Sequence, residues 1–225
     1  MNVRVSPTWL SQAWYGRQTF KTNPICSIAN GQIKITVFRE NAVGMRSMTT
    51  VAQHTGTGCF EIPDSMRAYI HHLQFAKDIV LKVSDHHIEI VAEQPSFAIQ
   101  YRIDNVKHVE DVHIEPSNED VALEIGTEDW FHICMTMPQK GILTFDCRAQ
   151  KRMVTVKHSK NRWGAAIMAR EKAPATASFR CRADVVRFCF KSIEQLPAFG
   201  TLIFMKCGVL KWQAGFTHVF LAPHE

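Results

Sequence analysis

The first residues that suggest chemistry are the histidines His71-His72 and the run Asp85-His86-His87 with Glu89, because clustered imidazoles and carboxylates can ligate a metal ion. Neighbouring residues on a helix or strand diverge, so these side chains do not converge on one ion, and no metal site is expected. Seven cysteines (Cys26, Cys59, Cys134, Cys147, Cys181, Cys189, Cys207) form an odd set with no CxxC pair, which indicates neither a disulfide framework nor a zinc ribbon. Cys134, Cys181 and Cys189 sit in apolar stretches, where a thiol packs as a small hydrophobe and is no nucleophile. Thr55-Gly56-Thr57-Gly58 lacks the lysine and following helix of a phosphate loop and reads as a turn. No serine, histidine and acid carry the spacing of a catalytic set. No cofactor is expected, and the absence of such a spacing does not by itself exclude an enzyme.

What remains is charge. The net charge is +5 and the pI near 8.9, which permits an acidic partner such as nucleic acid. The cations are unevenly spread: Arg148 to Arg170 carries three lysines and four arginines with no acid, whereas Glu110 to Asp129 is locally acidic. The basic segment reads equally as a solvated hairpin and as a contact for phosphates. Hydrophobic residues at 46% and charged residues at 21% describe a folded chain, and 225 residues suffice for one large domain or two smaller ones. No apolar run approaches the roughly 18 residues that span a bilayer. Met1 to Tyr15 lacks the continuous apolar stretch of a secretion signal. An intracellular protein without membrane contact is expected.

The elements that must position these charges can be read from periodicity. Ser6-Pro7 is a helix start, with Leu10, Ala13, Trp14 and Phe20 at mostly helical spacing before Pro24. Ile33, Ile35 and Val37 then alternate with polar residues, and strands are expected again at Met45 to Ala52 and Cys59 to Ile62. Asp64 caps a helix with Met66, Tyr69, Ile70 and Leu73 on one face, followed by strands at Ile79–Val83, His87–Val91 and Phe97–Ile103. Asn105 to Asp120 (NVKHVEDVHIEPSNED) is polar, contains Pro116, and reads as a connector.

The order then repeats. Leu123–Ile125 leads into a helix near Glu128 to Met137, then strands near Ile142–Cys147, Met153–Lys157 and Ala165–Arg170. Ala177–Cys181 leads into a helix from about Arg182 to Leu196, and the strands Thr201–Lys206, Val209–Gln213 and Thr217–Ala222 complete the second set. The alternating aromatic segment GVLKWQAGFTHVFLAPHE is accordingly expected to be tied into a sheet. Helix, strands, helix, strands occur twice, which defines an α+β protein of two similar domains, 1–104 and 121–225, joined by 105–120.

That doubled order, the connector VEDVHIEP and the ending Val219-Phe220-Leu221-Ala222-Pro223 together resemble the proliferating cell nuclear antigen family of DNA sliding clamps. GTEDWFHICMTMPQKG looks like the helix opening the second domain of that family, and RADVVRFCFKSIEQLP like its last helix. The chain is shorter and more basic than is usual there, which points to a viral or divergent member. The resemblance implies the clamp fold: antiparallel sheets outside, two helices per domain lining a central channel, and copies joined head to tail in a homotrimer around double-stranded DNA. It implies a processivity factor that tethers DNA polymerase and other clamp-binding proteins in the nucleus or at a viral replication site, possibly placed by a clamp loader. The alternatives are a subunit of a checkpoint-type hetero-oligomeric clamp, a monomeric DNA-binding processivity factor, or an interaction scaffold that has lost DNA contact.

Three sets of residues follow from the resemblance. Where the family carries basic residues on its channel helices, this chain has Ser11, Gln12, Gln18, Ala68, His71, His132, Met135 and Lys191, of which only Lys191 is formally basic. Arg17, Lys21, Arg67, Lys140 and Arg187 lie nearby and can substitute, with His71 and His132 adding charge when protonated. A pocket for a short hydrophobic partner peptide is implied at Phe38, Val43, Val112, Ile114, Leu221, Ala222 and Pro223. The subunit contact is implied between strand Ser96–Ile103, with Ile99 and Tyr101, and strand Gly164–Lys172 of the next copy, with Ala165, Ile167 and Ala169.

Overall fold

The computed structural model describes residues 1–10, 23–38, 44–66, 69, 72–73, 75–111, 120–160, 162–190, 193 and 196–224. The chain divides into two compact units, Met1–Phe38 with Ser47–His113, and Arg39–Arg46 with Ile114–Glu225. The division differs from the expected one in two places. The first three residues of a strand, Gly44–Arg46, belong with the second unit, and most of the expected connector belongs with the first.

In the first unit, Val3 and Val5 alternate with polar residues and form β1 (Asn2–Val5), which pairs antiparallel with β7 (Asp78–Val83). With β5 (His54–Thr55), β8 (His87–Glu93) and β9 (Ala98–Asp104) these make a sheet of order β5-β1-β7-β8-β9. Its alternate residues, among them Val3, Ile79, Leu81, Ile88 and Ile90, are buried, as period-two patterning requires. The second strand run is β10 (Lys107–His108), β6 (Gly58–Glu61), β2 (Ile25–Ala29), β3 (Gln32–Phe38) and the Ser47–Val51 part of β4 (Gly44–Val51). Asn30 and Gly31 both take positive φ, 52° and 74°, the two-residue turn whose twist suits a hairpin. His54 fixes that turn: Gly31 N–H donates to its Nε2 at 2.9 Å while its Nδ1 bonds the Gly56 carbonyl at 2.8 Å.

The start of the connector is tied down. Lys107 and His108 pair with Glu61 and Phe60, Val109 N–H donates to Cys59, and the Asp111 carboxylate accepts from Ser27 Oγ at 3.1 Å and Lys34 Nζ at 2.7 Å. Residues 112–119 lie outside the described residues. Of the first-unit helices, residues 7–10, the turn Asp64–Met66, and Tyr69, His72 and Leu73 are helical. Arg17, Lys21, Arg67 and His71 lie outside the described residues, as do Ser11, Gln12, Gln18 and Ala68.

The second unit holds two strand runs and two helices. One run is β18 (Thr217–Leu221), β17 (Leu210–Ala214), β16 (Phe199–Phe204) and β11 (Val121–Gly126), with Gly44–Arg46 beside β18. The other is β14 (Gly164–Met168), β13 (Met153–His158), β12 (Ile142–Cys147) and β15 (Ala177–Arg182). Helix α1 (Thr127–Thr136) follows β11, and α2 (Ala183–Phe190) follows β15. Both helices are amphipathic, α1 burying Trp130, Ile133 and Cys134 and α2 burying Val185, Val186, Cys189 and Phe190. A chain of rings joins them to both sheets. Phe179 lies 6.3 Å from Phe145, Phe145 5.8 Å from Trp130, Trp130 5.6 Å from Phe190, and Phe190 5.0 Å from Trp212. Burying each such side chain stabilises by about 2–3 kcal/mol, which makes this chain the core of the unit. The fit is close elsewhere too: a Cβ added at Gly44 would sit 2.8 Å from Cys189 Sγ and from Val185 Cγ1.

Gly141 shows the same tightness at a turn. Its φ is +107°, and an added Cβ would lie 2.2 Å from Nε2 of His158, whereas Gly208, at φ +83°, has nothing within 4 Å. Gly208→Ala is expected to cost only the backbone penalty, about 1–2 kcal/mol, and Gly141→Ala more than that because His158 must also move. Urea unfolding of the two variants checks this; equal losses would mean that His158 yields freely.

Candidate functional site

The helices of the second unit present a narrow outer face. On α1 the exposed residues are Glu128, Asp129, His132, Met135 and Thr136, and none is a permanent cation. On α2 only Asp184, Arg187 and Phe188 are partly accessible. Arg187, expected to meet phosphates, instead donates from Nη1 to the carbonyls of Met135 at 3.1 Å and Met137 at 2.9 Å. These are among the last carbonyls of α1, which lack partners inside the helix, and a guanidinium there also opposes the negative end of the helix dipole. Arg182 is matched as well: its Nε and Nη2 donate to Asp184 at 3.0 and 2.8 Å. Lys191 lies outside the described residues. The described outer helix face thus carries the exposed acids Glu128 and Asp129, with Arg182 paired to Asp184 and Arg187 bonded to backbone, partners that form only on folding.

The cations gather on the strand turns of this unit. At one end, the turn after β12 and the segment after β14 are joined by Gln150 N–H to Ala173 C=O, Ala173 N–H to Lys151 C=O and Ala169 N–H to Arg152 C=O, at 2.9 to 3.0 Å. They expose Arg148, Lys151, Arg152, Arg170 and Lys172. Arg170 pairs with Glu124 at 2.6 Å and lies over the Phe199 ring at 4.6 Å. At the other end, Lys140 follows α1 and meets the turn joining β13 to β14, where Lys160 and Arg162 are exposed. Of these, only Lys140 was singled out by sequence; the seven cations of Arg148 to Arg170 signalled the rest without showing that they split between two ends.

The strand edges differ in character. In the first unit β9 is an outer strand with Ile99 42% exposed, flanked by Phe97 at 57% and Phe75 at 74%. Gln94 bonds the carbonyls of both Phe75 and Phe97, so these rings lie at one end of the strand. Tyr101 is half-buried against Tyr69, with ring centroids 4.3 Å apart. In the second unit β14 is likewise outermost, but Ile167 and Ala169 are buried at 2% and 4% and Ala165 is half-buried. What β14 offers a partner strand is backbone, with the exposed Gly164, Ala166 and Met168 outward. Beyond it Ala169 and Arg170 turn to β11, where Arg170 N–H donates to Glu124.

The terminal segment is tied into the sheet through β17 and β18, as expected. Leu221 faces Leu210 and is 1% exposed, so of the implied peptide-binding residues there only Ala222 and Pro223 are accessible. His224 N–H donates to Arg180 C=O at 2.8 Å. Phe38 is half-buried in the first unit, and Val43, Val112 and Ile114 lie outside the described residues. No group of metal-ligating side chains occurs among the described residues. Burial pushes the thiols of Cys134 and Cys181 up and that of Cys59 to about 11, which leaves them protonated and unreactive.

Because Arg187 satisfies carbonyls of α1, Arg187→Ala is expected to lower stability by about 1–3 kcal/mol. Chemical denaturation measures it, and an unchanged midpoint would show that these bonds are absent in solution.

No family model matches the chain, and no curated protein is similar to it in sequence. Among solved structures it is similar to the beta subunit of DNA polymerase III from Thermotoga maritima, with a TM-score of 0.72 and 12% identity. The match covers 99% of this chain and 64% of that one, so the chain spans somewhat under two thirds of the length of its neighbour. At that identity the likeness speaks for the backbone alone, and with the antiparallel sheets and paired helices described above it is decisive there: the chain has the α+β fold of the DNA sliding clamps.

Proposed function

We propose that this chain is a DNA sliding clamp, a processivity factor that closes around duplex DNA and holds polymerase and other clamp-binding proteins to it. The observation that carries the reading is the agreement of 99% of the chain with the beta subunit of a DNA polymerase. Such a role needs no catalytic step, because a closed ring slides along a duplex but does not readily leave it. Two outer strands support it. An exposed outer strand such as β9, with Ile99 outward and Phe97 at its end, invites pairing with another chain, and β14 supplies an open backbone edge of a different kind. Contacts between unlike edges are heterologous and close into a ring when the rotation fits, with three copies in this reading. Partners would dock a short peptide with aliphatic and aromatic anchors at the accessible Ala222 and Pro223, with Phe38, Val43, Val112 and Ile114 contributing. The nucleus or a viral replication site is the corresponding location, with a loader to open the ring.

Ile99→Asp places a charge on the exposed centre of β9 and should leave the fold intact. Light scattering at micromolar concentration should show a closed oligomer for the unaltered chain and a 25.6 kDa species for the variant. A 25.6 kDa mass for the unaltered chain would favour a monomeric factor and end the ring reading.

A further inference from the structure

The described outer helix face of the second unit carries Glu128 and Asp129, and its two arginines are already engaged by Asp184 and by the α1 carbonyls. The exposed cations of the unit stand instead on its turns. We propose that a rim cluster, Lys140, Lys160 and Arg162, organised by the buried His158, is a phosphate-contacting site of the second unit. The inference rests on the DNA-binding reading above and adds a turn-borne site to it.

His158 is 8% exposed and both of its ring nitrogens are used. Nε2 lies 2.8 Å from the Lys140 carbonyl, to which it donates, and Nδ1 accepts from the Lys160 N–H at 3.1 Å. A carbonyl partner on one side and an N–H on the other select the neutral Nε2–H tautomer. The ring thus joins the segment after α1 to the turn between β13 and β14. Two backbone bonds complete the frame: Ser159 N–H donates to the Ile142 carbonyl at 2.9 Å, and His158 N–H closes the turn by donating to the Trp163 carbonyl at 3.2 Å. Gly141 fits beneath the imidazole only because it has no Cβ. Ala183 N–H donates to the Gly141 carbonyl at 2.9 Å, which places the cluster at the start of α2 and so at the border of the helix face.

All three cations are exposed, and none makes an ion pair with a described residue. His158 ties the backbones of Lys140 and Lys160 before any ligand arrives, so binding there orders mainly the side-chain ends. Three long cations without an apolar anchor among them fit a phosphate backbone and give contact without base reading. The nearest acid on the adjoining helix, Asp184, is held by Arg182.

The test is equilibrium binding of a short mixed-sequence DNA duplex to the full chain, followed by fluorescence anisotropy across salt concentrations. Lys140→Gln, Lys160→Gln and Arg162→Gln together should make the log–log salt slope shallower by about three units and weaken binding at low salt at least about tenfold. The thermal transition should not move, since none of the three side chains holds the fold. Arg148→Gln with Lys151→Gln and Arg152→Gln removes the same charge from the opposite end and should change the slope far less. An unaltered slope in the rim variant, or an equal loss in the opposite-end variant, overturns the inference while leaving the clamp reading standing. If the unaltered chain binds no DNA at any salt, both fall together.

Discussion

The second unit depends on one chain of rings, Phe179, Phe145, Trp130, Phe190 and Trp212, that ties both helices to both of its strand runs. Trp130 and Trp212 bury their indole nitrogens without a hydrogen-bond partner, a cost of about 1–3 kcal/mol each that the apolar area of the rings must exceed. The arrangement consumes most of the surface of α2, leaving only Asp184, Arg187 and Phe188 partly accessible. α1 keeps exposed positions, none of them a permanent cation, and Arg187 on α2 is close enough to α1 to satisfy its carbonyls.

On the sliding-clamp proposal, phosphates must be bound without being gripped, and the exposed cations on short turns suit that, because long side chains follow the backbone without reading bases. The edge strands differ in character: β9 carries Ile99 outward with Phe97 at its end, whereas β14 offers mainly backbone.

Much of this was legible in the sequence where the signal was local. Alternation at Ile33, Ile35 and Val37 marked β3, and helices were legible near Glu128 to Met137 and from about Arg182, where α1 and α2 stand. The repeated order of elements pointed to an α+β clamp fold, which the likeness to the solved structure bears out. The short strands β1, β5 and β10 were missed because two to four residues carry too little periodicity and each is defined by a distant partner, as Val3 is by Leu81. The opening of the connector read as a free linker since it is polar, yet it is edge strand held by Lys34 and Asp111, a pair 77 residues apart. Arg187 also caps α1, and His158 sits inside a basic run that gives no sign of its bridging role. Both roles are set by backbone atoms of other segments, which no residue type announces.

The central claim is a closed ring with a hole, and small-angle X-ray scattering of the unaltered chain at micromolar concentration addresses it most directly. The account predicts an oligomer whose pair-distance distribution is that of a hollow ring wide enough to admit a DNA duplex. A 25.6 kDa particle, or an oligomer that scatters as a solid body, would contradict it.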